Sequence, residues 1–166
     1  MLLERAIHSY ALDLLIQRDF TSISVPSLVQ ETPLIGTGMF PKARDETYAL
    51  PADDLYLAGT AEVALVGLHS RRDPRPVASL PITYAGISPC FRREIGSASA
   101  TCAGLLRVHQ FEKVEQFVLC AADAASPRTG TRSCWAPRSS ILQALGLALR
   151  GGGGLHRATW ARASSG

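Results

Sequence analysis

An α+β fold, with an antiparallel sheet flanked by helices, follows from three observations along the 166 residues. Apolar residues recur at helical spacing near the start. Two short β-type segments bracket the turn-forming run Pro51-Ala52-Asp53-Asp54. Two longer stretches, 82–95 and 107–119, are rich in β-branched and aromatic residues and read as extended chain.

In chain order, Leu2, Leu3, Ala6, Ile7, Tyr10, Ala11, Leu14 and Leu15 form one face of an amphipathic helix through about Arg18, with Glu4, Arg5, Asp13 and Gln17 opposite. The β-branched run Thr21 to Val25 predicts a strand that Pro26 closes, since proline donates nothing to a ladder. From Glu31 to Asp45, Pro33, Gly36, Gly38 and Pro41 read as a turn-rich loop exposing Met39 and Phe40 beside Lys42 and Arg44. Such a loop could close over a ligand or be a plain surface excursion. Thr47 to Leu50 and Leu55 to Ala58 then form a hairpin. Thr60 is placed to cap a short helix running through Leu65, Leu68 and His69, with Glu62 in its first turn. After a loop at 70–76, Ile82 to Ser88, Cys90 to Ile95 and Arg107 to Leu119 supply the remaining strands, with the helices to one side.

The 46% apolar and 19% charged composition suits one globular domain. No apolar run reaches the roughly 18 residues that span a bilayer, and Glu4 and Arg5 come too early for a signal peptide, so a cytoplasmic or organelle-matrix location is expected and no membrane. Cys90, Cys102, Cys120 and Cys134 lack Cys-x-x-Cys spacing and read as structural thiols, with no metal site. The net charge of +3 belongs to the last 46 residues, which hold six arginines, no lysine and one acid, Asp123. The chain thus divides into a structured part, 1–120, and a divergent tail, 121–166, expected to be disordered around one helical fragment at 141–149.

Chemistry concentrates in Phe91-Arg92-Arg93-Glu94 and in Arg107-Val108-His109-Gln110-Phe111-Glu112-Lys113-Val114-Glu115. Strand alternation predicts Arg92 with Glu94 on one face, and Arg107, Phe111 and Glu115 together. Joined by the small-residue loop Gly96 to Gly104, the two segments would form a nucleotide floor. It offers guanidinium for phosphate, ring for base and carboxylates for amino groups. His109 shares the polar face without an evident partner.

These residues resemble a known family, the seryl-tRNA synthetases among the class II aminoacyl-tRNA synthetases, over roughly 1–120. The likeness lies in the order of Leu57-Ala58-Gly59-Thr60-Ala61-Glu62, Phe91-Arg92-Arg93-Glu94 and Leu105-Leu106-Arg107 through Phe117, and in Gly36-Thr37-Gly38-Met39-Phe40-Pro41. Pro26 resembles the first class II motif, which in the family sits at a dimer interface, so a homodimer is implied. The resemblance further implies ATP with Mg²⁺ as cofactors, and serine and tRNA(Ser) as partners. Serine is activated to seryl-adenylate and then transferred to tRNA. Carried over by position, Arg92 would be the catalytic residue, holding the α-phosphate and the serine carboxylate. Glu94, Arg107 and Phe111 would join it in binding ATP, and Thr60, Glu62 and Glu115 would bind serine.

Two family features have no match. No heptad arm precedes the chain's first helix, and no third, Gly-Arg motif follows. Ser97 to Ala103 also lacks the arginine often found before the glycine matching Gly104. Ile141 to Leu147 resembles the helix after the second motif and the likeness stops there; the expectation is that much of the tail is an out-of-frame reading of a GC-rich gene, which would explain arginine without lysine and the run Gly151 to Gly154. The expected activity of this chain alone is therefore impaired serine–tRNA ligation. The alternatives are another class II ligase, for threonine or proline, and a non-catalytic nucleotide- or RNA-binding fragment.

Overall fold

The computed structural model describes residues 1–70, 80–95, 107–121 and 140–147. Helix α1 (Leu2–Ile16) leads into strand β1 (Thr21–Ser24). β2 (Leu28–Val29), helix α2 (Glu31–Gly36), β3 (Ala49–Leu50) and β4 (Leu55–Leu57) follow, then helix α3 (Ala61–His69) and the ten-residue strands β5 (Ile82–Phe91) and β6 (Gln110–Leu119). The α+β class stands, with the strands divided between two three-stranded sheets ordered β1-β5-β6 and β2-β4-β3. All pairings are antiparallel except β1 with β5, which run parallel from Thr21↔Tyr84 to Ser24↔Ile87.

The helices lie on both faces of the larger sheet, not on one side as expected. Leu15 and Phe20 bury against Ala85, with Leu12, Val114 and Val118 beside them, and His8 Nδ1 stands 3.2 Å from Glu112 Oε2. On the opposite face, Ala61 and Leu65 of α3 come over Gly86, where a Cβ would lie 3.6 Å from either side chain. The period of two explains the division: even positions of β6 meet α1 and odd ones face α3. On its other flank α3 presents Val63 to Val29, Leu34, Phe40 and Ala58. A helix wedged between two sheets is apolar nearly all round, as Ala61, Val63 and Leu65, all buried, require.

The segment 31–45 is more ordered than its punctuation suggested. Gln30 is extended (φ −76°, ψ 168°) and α2 begins at once, with Glu31 in its first turn and Pro33 still within the turn that has no donor to lose. Thr37 Oγ1 closes the helix by donating to Pro33 O at 2.9 Å. Phe40, expected to be exposed, is 4% exposed in the core, edge-on to Tyr56 at 5.1 Å. Arg44 lies 4.5 Å over its ring and pairs with Glu31, so the basic residue seals the segment.

The bounds of β5 and β6 differ from the sequence expectation in ways that bear on the site. β5 runs unbroken through Pro89, because β1 stops pairing at Ile87 and leaves β5 a single neighbour there, where proline is tolerated. It ends at Phe91, so Arg92 and Glu94 lie beyond the strand. β6 starts at Gln110, which leaves Arg107, Val108 and His109 outside it. In the tail, a helical turn at 140–144 overlaps the start of the expected fragment at 141–149, and Arg18 Nη2 donates to Ser140 Oγ at 3.0 Å. The loop 96–104 and most of 121–166 lie outside the described residues.

Cys90 is buried and Cys120 half-buried, both as free thiols. Among the described residues no helix is long and apolar enough to cross a membrane.

Candidate active site

The site begins where the small sheet meets the end of the large one. Ala58, just past β4, donates its N–H to Ser27 O at 2.8 Å and accepts from Phe91 N at 3.0 Å. These bonds bring Gly59 against Arg92. A Cβ on Gly59 would stand 3.4 Å from Phe91 O and 3.7 Å from Arg92 Cγ, so the glycine allows a close approach. Arg92 Nη2 and Nε donate to Gly59 O at 3.3 and 3.4 Å, and the guanidinium carbon lies 5.3 Å from the centre of the Phe111 ring. Backbone anchoring and a cation–π contact together hold the cation at the mouth of the sheet.

Next to this lies an acid cluster. Thr60, 3% exposed, donates through Oγ1 to Glu115 Oε2 at 2.6 Å. The same oxygen accepts from Lys113 Nζ at 2.6 Å and caps α3 by accepting from Glu62 N at 3.4 Å. Lys113 also forms an ion pair with Glu115. Register explains the assembly: Gly86 pairs with Glu115, and its missing side chain lets the start of α3 settle beside that carboxylate.

Glu62 remains an exposed residue overall, yet loss of solvent around its carboxyl raises its pKa above the ordinary 4.5. Repulsion from Glu115 adds to the rise and Lys113 opposes it. A carboxyl raised in the folded state contributes stability that is complete below its unfolded pKa and fades as pH climbs through the folded value. Glu62→Gln should therefore gain on the parent chain as pH rises from about 4 to about 7. Urea midpoints of both proteins at the two pH values check this, and a constant gap would contradict it.

Glu94 and Arg107 meet each other instead of joining that face. Glu94 takes a left-handed backbone (φ 52°) just past the strand, and its carboxylate is gripped by Arg107 Nε and Nη2. Alternation cannot align residues that lie off the strand, so the expected grouping of Arg92 with Glu94, and of Arg107 with Phe111 and Glu115, is replaced. Phe111, Lys113 and Glu115 share the β6 face, Thr60 and Glu62 come from α3, and Arg92 stands at the β5 end. His109 does have a partner, since its Nδ1 lies 2.6 Å from Tyr48 Oη, and its carbonyl accepts from Arg92 N at 3.0 Å. Lys113 and Gly59 were not singled out from sequence. For Lys113 the clue was available, because it has the same parity as Phe111 and Glu115.

Among the described residues no group of three or more His, Cys, Asp or Glu could hold a metal ion. Two of the described carboxylates at the site are committed, Glu94 to Arg107 and Glu115 to Lys113 and Thr60.

The chain is similar to known proteins over most of its length. A serine–tRNA ligase of Deinococcus radiodurans is 44% identical over 149 residues, covering 90% of this chain and 35% of the relative. One from Leifsonia xyli is 41% identical over 148 residues, covering 89% and 34%. The chain thus spans about a third of the length of these curated relatives. The seryl-tRNA synthetase of Pyrococcus horikoshii, solved in complex with ATP, superposes with a TM-score of 0.66 at 35% identity, covering 85% of this chain and 29% of that one. The cytoplasmic serine–tRNA ligase of Naegleria fowleri, solved with AMP, gives 0.77 at 29% identity, covering 86% and 33%. The model of the class II tRNA synthetase core domain (G, H, P, S and T) matches residues 47–158, and the chain belongs to that family.

Proposed function

We propose that this chain carries the amino-acid and nucleotide floor of a serine–tRNA ligase. Such an enzyme activates serine with ATP and passes the seryl group to tRNA(Ser). The observation that carries the reading is the junction at Gly59-Thr60: one peptide unit anchors the Arg92 cation through its carbonyl residue and the acid cluster through the next side chain.

In the activating step a serine carboxylate oxygen attacks the α-phosphorus, a P–O bond to the β-phosphate breaks, and pyrophosphate leaves with that electron pair. Two anions must approach, and a fixed guanidinium between them lowers the barrier and aligns the attacker. Arg92 supplies that charge, and Phe111 beneath it offers a face for adenine. Thr60, Glu62 and Glu115 receive the serine ammonium and hydroxyl. A carboxylate committed to the hydroxyl penalises alanine, which would leave it unpaired. Glu94 and Arg107, paired to each other, flank the nucleotide end, where Glu94 accepts from the adenine amino group and Arg107 approaches the phosphates. Mg²⁺ would arrive with the ATP phosphates, held largely by phosphate and water oxygens. A cytoplasmic homodimer is the expected setting of the whole protein.

Calorimetric titration of the chain with ATP, and then with serine, threonine, proline and alanine, tests the assignment. ATP binding with preference for serine is the expected result. Preference for threonine or proline would move the chain to a sister ligase. Nucleotide affinity indifferent to every amino acid, and persisting in Glu62→Ala, would point to a non-catalytic binding module.

A further inference from the structure

We infer that Lys113 is a built-in stand-in for the substrate ammonium: its Nζ occupies the position between Thr60 and Glu115, and serine must displace it to bind. The inference rests on the serine-binding reading given above and deepens it by naming the group with which the substrate competes.

The geometry is specific. Lys113 Nζ lies 2.6 Å from Thr60 Oγ1 and is ion-paired with the same Glu115 oxygen, Oε2, that accepts from Thr60. A primary ammonium donating to one hydroxyl and one carboxylate is the arrangement an amino-acid ammonium would adopt there. Lys113 reaches it from two positions before Glu115 on the same face of β6, so the side chain folds along its own strand. Lysine suits this duty. Its charge is compact, its stem is flexible, and its 31% exposed side chain can swing out to water once released.

An internal counter-ion solves a problem that the cluster poses. Thr60 is almost fully buried, and Glu62 and Glu115 repel each other. Without a cation beside them, the Glu62 and Glu115 carboxyls would repel each other uncompensated. With Lys113 in place, serine binding exchanges one ammonium for another, so little net electrostatic free energy is gained. Affinity is thereby held down, and ligands without an ammonium have nothing to exchange.

Removing the lysine should therefore tighten serine binding. At pH 8 the 166-residue chain carrying Lys113→Met is expected to bind L-serine about tenfold more tightly than the parent chain, as forming rather than exchanging a charge-assisted contact implies. Lys113→Arg keeps a cation on the strand and should stay within about threefold of the parent, since a retained charge preserves the exchange. Calorimetry reads the affinities, and far-UV circular dichroism confirms that each variant is folded. Serine binding by the parent that is unchanged or weakened in a folded Lys113→Met chain would overturn the stand-in role while leaving the serine reading intact. If Lys113→Met fails to fold, tightening by Lys113→Arg beyond about tenfold would overturn it equally. Absence of serine binding in parent and variants alike would overturn both readings.

Discussion

Arg92→Ala is expected to weaken ATP binding to this chain by about a hundredfold. A charge-assisted hydrogen bond contributes roughly 1.5–3 kcal/mol, and one guanidinium can donate two such bonds to phosphate oxygens. Together they reach about 3 kcal/mol, which is about two decades of affinity. The guanidinium is already held by the Gly59 carbonyl and the Phe111 ring, so little ordering entropy is lost when phosphate arrives. Arg92→Lys should recover only part of the loss, because an ammonium cannot serve a carbonyl, a ring and two phosphate oxygens from one plane. ATP titrations of the three proteins check this. Affinity in Arg92→Ala within about threefold of the parent would remove Arg92 as the phosphate clamp.

Leu65→Ala should lower the stability of the fold by about 3 kcal/mol, within the range for leucine truncation in a packed core. Leu65 is 0% exposed and lies over Gly86. Gly86 has no side chain that could move into the void, and the strand backbone beneath is fixed by β1 and β6 on either side. Leu15→Ala, equally buried on the opposite face, should cost a similar amount. The two differ in reach. Leu65 seats the helix that carries Thr60 and Glu62, so its truncation should also weaken serine binding, whereas Leu15 supports α1. Urea unfolding with serine titration separates them, and a loss below about 1 kcal/mol for Leu65→Ala would mean that the site collapses to fill the gap.

Patterns of period and capping carried well from sequence to structure. The apolar spacing of 2–15, the β-branched run 21–25, the turn at 51–54 and the Thr60 cap each correspond to an element or a bond in the fold. Punctuation carried less. Pro33 and Gly36 read as breakers, but a proline in the first turn forfeits no helical bond, so α2 forms around it. Pro89 read as a strand break, and the end of β1 makes it harmless. The site was legible as a set of residues before it was legible as an arrangement. Phe111 and Glu115 share a face because they are truly in β6, while Arg92, Glu94 and Arg107 fall just outside the strands, where backbone turns and tertiary hydrogen bonds set direction. The Glu94–Arg107 pair depends on a left-handed residue that local propensity does not announce.

Among the described residues β6 pairs with β5 alone, so its other margin presents a row of amide and carbonyl groups ten residues long. Such a margin is a template for recruiting strands from neighbouring molecules into aggregates. Glu112, Lys113 and Glu115 interrupt it with ionised groups at its centre. Lys113 and Glu115, which belong to the site, thus also act as gatekeepers of solubility beside Glu112 on the opposite face, and neutralising them would trade ligand recognition for precipitation.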